Sequence, residues 1–204
     1  MHNEQELQTQ IGILCAGGHT PLLNPVEIRY MRELLQSPGL PAGNVLEVGF
    51  HLGGTVSLLL PYASGRQWWA CDVYPLDGGV GPSRLLSGAS QALYHLSGVH
   101  LVLCDVRHLS QIARQGFALA LIDGSHEKQA VMSDVGSILG LMVEGGVVVL
   151  HDSVNQPSCP GSMAAWQSLC AEDRIVDSTG RLWVTESPDA GTLGVLRLQQ
   201  SEGD

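Results

Sequence analysis

Short apolar runs recur along the chain, and most of them stop at an acidic residue. Val45–Val48, Trp68–Val73, Val99–Asp105, Phe117–Asp123 and Val147–Leu150 have the length and composition of strands buried on both faces. Stretches with apolar residues at helical spacing separate them. Ile28, Met31, Leu34 and Leu35 follow Asn24-Pro25-Val26-Glu27, which offers an Asn cap, a first-turn proline and the glutamate of a capping box. Thr55–Leu60, Leu85–Leu96, Leu109–Gln115, the run through Val131, Val135, Ile138 and Leu139, and Ser162–Cys170 are the other expected helices. Arg181–Thr185 and Thr192–Leu198 flank a turn cluster at Pro188–Gly191 and predict a closing antiparallel hairpin. Residues 1–20 are weakly patterned, with Gly17-Gly18-His19 a loop, and Tyr74–Ser83 is a second loop rich in Gly and Pro. The alternation predicts an α/β fold, a doubly wound, mostly parallel Rossmann-like sheet of seven strands ending in that hairpin.

The stretch Asn44–Thr55, NVLEVGFHLGGT, organises the rest. An apolar strand runs into Gly49, then Gly53-Gly54-Thr55 open a helix, so backbone can pass close to a ligand. His51 stands where the dinucleotide fingerprint G-x-G-x-x-G has its second glycine, which leaves no evident berth for pyrophosphate. Glu47, two residues ahead of the first glycine, suits a cationic or amine-bearing ligand. Asp72 follows Gly49 at about the 20-residue offset at which a carboxylate takes ribose hydroxyls. It reads equally as a solvated acid at a strand end. Glu47, Asp72, Asp105 and Asp123 together would line one edge of the sheet, where open α/β folds bind their ligands.

Two later stretches are the most specific, IDGSHEKQAVMSDV (Ile122–Val135) and EGGVVVLHDS (Glu144–Ser153). With the glycine turn they resemble, in order and spacing over roughly residues 24–198, the class I S-adenosylmethionine-dependent methyltransferases. The likeness is to the small O-methyltransferase type (methyltransferase family 24-like) with IDGxHxYxxVxxD and GGxxxxHD motifs. That family often carries an aromatic residue where this chain has Lys128-Gln129. The resemblance implies one class I methyltransferase domain over residues 1–204, with 1–40 as an N-terminal cap segment over the substrate. It implies S-adenosylmethionine as cofactor, with Glu47 at the cationic end and the backbone of Gly49–Gly53 along the methionine part. Asp72 would hold the ribose diol, and Asp105 with Val106 the adenine edge. Phe50, His51, Gly54, Thr55, Val73, Asp123 and Gly124 complete the expected cofactor contacts.

Methyl transfer needs an aligned acceptor and somewhere for its proton to go. Asp123 and Asp152 close neighbouring strands and can converge on one hard cation, Mg²⁺ by preference. His151 is an unusual ligand for that ion, pointing either to another divalent metal or to a hydrogen bond. The same acids can equally serve only to cap strands or orient the cofactor. His126, in the loop after Asp123, has an imidazole whose ordinary pKa of about 6.5 suits a general base. It reads as well as a helix cap or loop-ordering group. Lys128, the sole lysine, is a weaker candidate base, because it must be strongly desolvated to lose its proton near neutrality.

A formal charge of −10 sets nucleic acid aside as partner. The expected partner is a small-molecule substrate, with no membrane involvement, and the family resemblance implies a homo-oligomer. Residues 1–20 are expected to order against a second subunit or the substrate. Five cysteines without metal-finger or CxxC spacing fit a reducing compartment, and the polar N-terminus is no secretory signal, so a cytoplasmic location is expected. Two other functions share this architecture, a nicotinamide-dependent oxidoreductase and a non-catalytic cofactor-binding accessory protein.

Overall fold

The computed structural model describes residues 4–16, 21–73, 96–113, 116–172 and 175–198. Its strands are β1 (Asn44–Val48), β2 (Trp68–Asp72), β3 (Val99–Leu103), β4 (Phe117–Ile122), β5 (Met142–Leu150), β6 (Ile175–Val176), β7 (Leu182–Glu186) and β8 (Gly194–Leu198). They form one sheet in the order β3-β2-β1-β4-β5-β8-β7-β6. The first five run parallel, and β8, β7 and β6 pair antiparallel. The mostly parallel α/β sheet with a terminal hairpin is the one expected, but it has eight strands, not seven. The additional strand, β6, is two residues long and too short to leave a periodic signal.

Alternation within the strands divides the core in two. Val45 of β1, Leu119 and Leu121 of β4, and Val147 and Val149 of β5 point to one face. Leu46 and Val48, Ala120 and Ile122, and Val148 and Leu150 point to the other. The first face is covered by α1 (Glu4–Ala16), α2 (Pro25–Gln36) and α3 (Gly54–Leu59). The second is covered by α4 (Lys128–Leu139) and α5 (Pro160–Ala171), with a 3-10 turn at Val106–Gln111. β4 lies at the centre, buried at every position, as a strand covered on both faces must be. Among the described residues, no helix is long and apolar enough to cross a membrane.

Several expectations need correction. Residues 4–16 form a helix on their own subunit, with Leu7 buried in the first core and Ile11 and Leu14 packed against it. Their spacing was legible, but mostly polar neighbours masked it. Arg32 of α2 donates to Gln10 Oε1 at 2.9 Å and pins the helix further. The strand expected to run to Asp105 stops at Leu103, and Asp105 instead caps the 3-10 turn by accepting from Arg107 N. That turn stands where the first part of a helix was expected at Leu109–Gln115, whose last two residues lie outside the described residues. Gly145-Gly146, expected to precede β5, lie inside it, where the register with β4 jumps from Phe117↔Met142 to Leu119↔Val147. The loops expected at Gly17–His19 and Tyr74–Ser83 lie outside the described residues, as does the helix at Leu85–Leu96 apart from Leu96.

The glycine turn needs Gly49 for two reasons. Its φ is +90°, and a Cβ there would fall 2.1 Å from the carbonyl oxygen of Asp123. β1 and β4 leave the sheet so close together that only a hydrogen fits between them. Gly65 has a similar φ of +77° but open space around it. Gly65→Ala should therefore cost about 1–2 kcal/mol of backbone strain, lowering Tm by a few degrees. Gly49→Ala should cost at least about 3 kcal/mol more and lower Tm by at least about 8 °C. Thermal unfolding of the two variants side by side tests whether the close approach, beyond the dihedral, is what requires glycine.

Candidate active site

The carboxyl ends of β1 to β5 open into a cavity of about 870 Å³ at the point where the strand order reverses between β1 and β4. This is the switch point at which open α/β sheets take ligands, and the volume lies within the range for small-molecule sites. Asp72, Asp105, Asp123, Asp134, Asp152 and Glu27 all line it, and no lysine or arginine does among the described residues.

At one end, Asp72 closes β2 and its Oδ2 accepts from the backbone N of His51 at 2.9 Å. His51 sits at φ +49°, a left-handed position that histidine tolerates better than most residues. That bond ties the glycine turn to the next strand, and Gly49, His51, Asp72 and Val73 share the cavity wall. Beyond them lie Asp105 and Val106. Both oxygens of Asp105 are engaged by the Arg107 side chain, at 2.8 and 2.5 Å. Those charged hydrogen bonds, with the Arg107 backbone, hold its pKa down to about 2. Asp134 of α4 faces the same end, and burial, then the nearby Asp105 charge, push its pKa up to about 6. The motif contained Asp134 as its last acid, yet no role attached to it from sequence.

At the other end, β4 and β5 deliver Asp123 and His151-Asp152, and the next loop delivers Gly124 and His126. His151 Nδ1 lies 2.8 Å from Asp123 Oδ1, and its Nε2 lies 3.2 Å from Glu27 Oε2. Burial alone would lower the pKa of this imidazole, but hydrogen bonds to Asp123 and Glu27 raise it to about 10. Glu27 is fully buried, which acts to raise its pKa. Hydrogen bonds from His151, from the Asn24 amide and from the amide and hydroxyl of Thr192 outweigh that and bring it to about 2. Burial pushes Asp123 up, with the His151 bond acting against it. Asp152 stands at φ +53°, its Oδ1 accepting from Gln156 and its Oδ2 lying 3.1 Å from His126 Nε2.

The structure thus gathers Gly49, His51, Asp72, Val73, Asp105, Val106, Asp123, Gly124, His126, His151 and Asp152 around one space. Other expected contacts lie elsewhere. Glu47 points into the core, where its carboxyl accepts from the Trp68 indole at 2.8 Å. Phe50 packs in the first core, and Gly53, Gly54 and Thr55 support the turn from behind. Lys128 is exposed at the start of α4, off the cavity wall. Asp123, His151 and Asp152 do bring ligand atoms within 4.8 Å of one another. Both His151 nitrogens also face carboxylates, Nδ1 that of Asp123 and Nε2 that of Glu27. Glu27, Gln156 and Thr192 went unnoticed in the sequence, Glu27 because its capping-box role accounted for it fully.

Residues 46–153 match a family model described as a methyltransferase domain. No curated protein matches the sequence. Several solved structures share the fold. A protein from Corynebacterium glutamicum aligns with a TM-score of 0.65 at 14% identity, covering 100% of this chain and 94% of that one. An O-methyltransferase from Bacillus cereus in complex with SAH aligns with a TM-score of 0.59 at 17% identity, covering 97% and 90%. A TDP-rhamnose 3'-O-methyltransferase of calicheamicin biosynthesis aligns with a TM-score of 0.54 at 18% identity, covering 97% and 96%. At such identities the likeness is one of fold.

Burial raises the Glu47 pKa to about 8, against the Trp68 hydrogen bond, with the charges of Asp123 and Asp72 adding to the rise. Folded Glu47 therefore keeps a proton that the unfolded chain releases near its ordinary value of 4.5. Its contribution to stability is full below that value, declines as pH rises, and is lost by about 8. Glu47→Gln retains an acceptor for the indole and carries no titrating group. The variant and the parent should be similarly stable at pH 4.5. The variant should gain relative to the parent on the order of 2–4 kcal/mol by pH 9. Urea unfolding of both proteins across that range checks the sign.

Proposed function

The chain belongs to the methyltransferase domain family, of the class I S-adenosylmethionine-dependent kind, and from that premise we propose that it methylates a hydroxyl of a small molecule. The observation that carries this reading is the acid-lined cavity at the switch point, with carboxylates on successive strand ends and no lysine or arginine on its described wall. Such a field favours a sulfonium over a pyrophosphate, which weighs against the nicotinamide-dependent alternative. The acids held at both ends weigh against a non-catalytic role.

The residues present fit this cofactor. Asp72, tied to the turn through His51, is set to accept from a ribose diol, since an ionised carboxylate only accepts. Val106, Asp105 and Asp134 border the purine end, and the backbone at Gly49 borders the methionine end. Bound S-adenosylmethionine supplies an electrophilic methyl group on a cationic sulfur. The acceptor hydroxyl enters beside His126 and Asp152. His126 is half exposed and held through Nε2 by Asp152, so that Nδ1 takes the acceptor's proton as the methyl group arrives. The His151 imidazolium offsets Asp123 and Glu27, so the acceptor end carries less negative charge than its three buried carboxyls would otherwise give it.

Calorimetry should show S-adenosylmethionine and its demethylated product binding one to one, with no heat from NAD(H). Asp72→Ala should weaken cofactor binding by about 1–3 kcal/mol, the scale of hydrogen bonds to a charged group. Binding of NAD(H) with none of the sulfonium would overturn the reading. Once an acceptor is identified, His126→Ala should lower turnover by about 10²–10⁴ and leave cofactor affinity unchanged. A loss of cofactor affinity instead would place His126 at the wrong end of the cavity.

A further inference from the structure

Beside the acceptor end, three elements bring together a second set of ligating atoms, which shares Asp152 with the Asp123–His151 cluster, Asp152 Oδ2 also lying 3.5 Å from His151 Nδ1. Asp152 Oδ2 lies 3.1 Å from His126 Nε2 and 3.3 Å from Cys159 Sγ, and the three atoms fall within 4.8 Å of one another. Zinc bonds of about 2.0–2.1 Å to nitrogen and oxygen and 2.3 Å to sulfur make tetrahedral edges of about 3.3 Å (N to O) and 3.6 Å (O to S). The two separations that involve Asp152 therefore stand within about 0.3 Å of those a bound ion would impose.

The fold holds them there. A Cβ on Gly161 would lie 2.2 Å from the carbonyl oxygen of His126 and 2.9 Å from Lys128 N. The first turn of α5 is thus pressed against the His126 loop, and it carries Cys159 with it. Gln156 donates to Asp152 Oδ1 and leaves Oδ2 turned toward the histidine and the thiol, the orienting role that outer partners play around metal ligands. His126, Asp152 and Gln156 line the cavity, so a fourth position would open toward the acceptor.

We propose that His126, Asp152 and Cys159 form a site for Zn²⁺ or another borderline divalent cation, with one coordination position open to the cavity. Nitrogen, oxygen and sulfur from three residues with an open position is the donor pattern of a catalytic zinc site, whereas Mg²⁺ calls for oxygen alone. The thiol gives its proton to solvent as the sulfur–metal bond forms. What the ion does rests on the proposed function. It polarises the acceptor oxygen in the metal-loaded protein, where His126 is a ligand through Nε2, while the base role of Nδ1 belongs to the metal-free protein.

The test uses chelator-treated full-length protein without cofactor or acceptor, titrated with Co²⁺. One equivalent should bind with the near-ultraviolet absorption of a cobalt–thiolate bond, displaced by Zn²⁺ and unaffected by excess Mg²⁺. Cys159→Ser should abolish the absorption. Both Cys159→Ser and His126→Ala should weaken Zn²⁺ binding at least as much as the roughly 10–100-fold that outer-shell changes cost. The two residues are partly or fully exposed, and an unchanged Tm for either variant confirms that a lost signal is a lost site. Absorption that persists in Cys159→Ser overturns the proposal, including the case in which it moves to Cys71 and Cys104, whose sulfurs lie 3.8 Å apart. Absence of Co²⁺ binding, or displacement by Mg²⁺ at equal concentration, overturns it as well. Because no cofactor is present, either failure leaves the calorimetric test of methyl-donor binding standing.

Discussion

A single buried cation holds the functional edge of the sheet together. His151 bridges Glu27 and Asp123 with its two nitrogens, and through them joins the first turn of α2, the end of β4 and the end of β5. Glu27 adds the amide and hydroxyl of Thr192 from the turn before β8. Gly191 completes the fit, since a Cβ there would lie 2.6 Å from Glu27 Oε1. Charges this deeply buried are tolerated only when paired and fully hydrogen-bonded. Removing any one member leaves its partners charged and unmatched, so the four segments meet in one arrangement.

That arrangement sets the electrostatics of the cavity. With His151 protonated, the acceptor end contains a fixed positive group among its carboxyls, while Asp72 and Asp105 stand at the other end. Glu47 lies one layer deeper and shows the complementary solution. No cation reaches it, so burial keeps its proton on and the indole of Trp68 satisfies its oxygen. The strand-end acids therefore differ in state because they differ in neighbours. Asp105 is held ionised by Arg107, Asp134 beside it is pushed toward neutrality, and Glu47 is neutral at pH 7.

The two layers of helix have different tasks. α1, α2 and α3 cover one face, and the start of α2 carries Glu27 into the site. On the other face, α4 and α5 meet so closely that Gly161 touches the His126 loop. Packing of α5 on α4 is thus also what places Cys159 and Gln156 around Asp152. Helix positions that serve the core on one side therefore fix the geometry of polar groups at the cavity rim.

The sequence by itself determined the elements and most of their order. Apolar runs of strand length, the Asn24–Glu27 capping box and the glycine turn at Gly49 each depend on neighbours a few residues away, and local chemistry is enough to read them. It also placed Asp72, Asp123 and Asp152 at strand ends, with His126 in the loop that follows Asp123, because every parallel strand in such a sheet ends on the same edge. Only the tertiary structure decided what those groups do to one another. His151 and Glu27 are 124 residues apart in the chain, and Glu27 and Thr192 are 165 apart. No periodicity links positions so distant. Whether an acid faces a cation, an indole or solvent decides its charge, and that choice is made when the segments pack. Glu47 and Asp123 are both acids at or near the end of a buried strand. One became a neutral core group, because burial with no cation beside it keeps its proton on, and the other became the partner of a histidine, because His151 stands beside it.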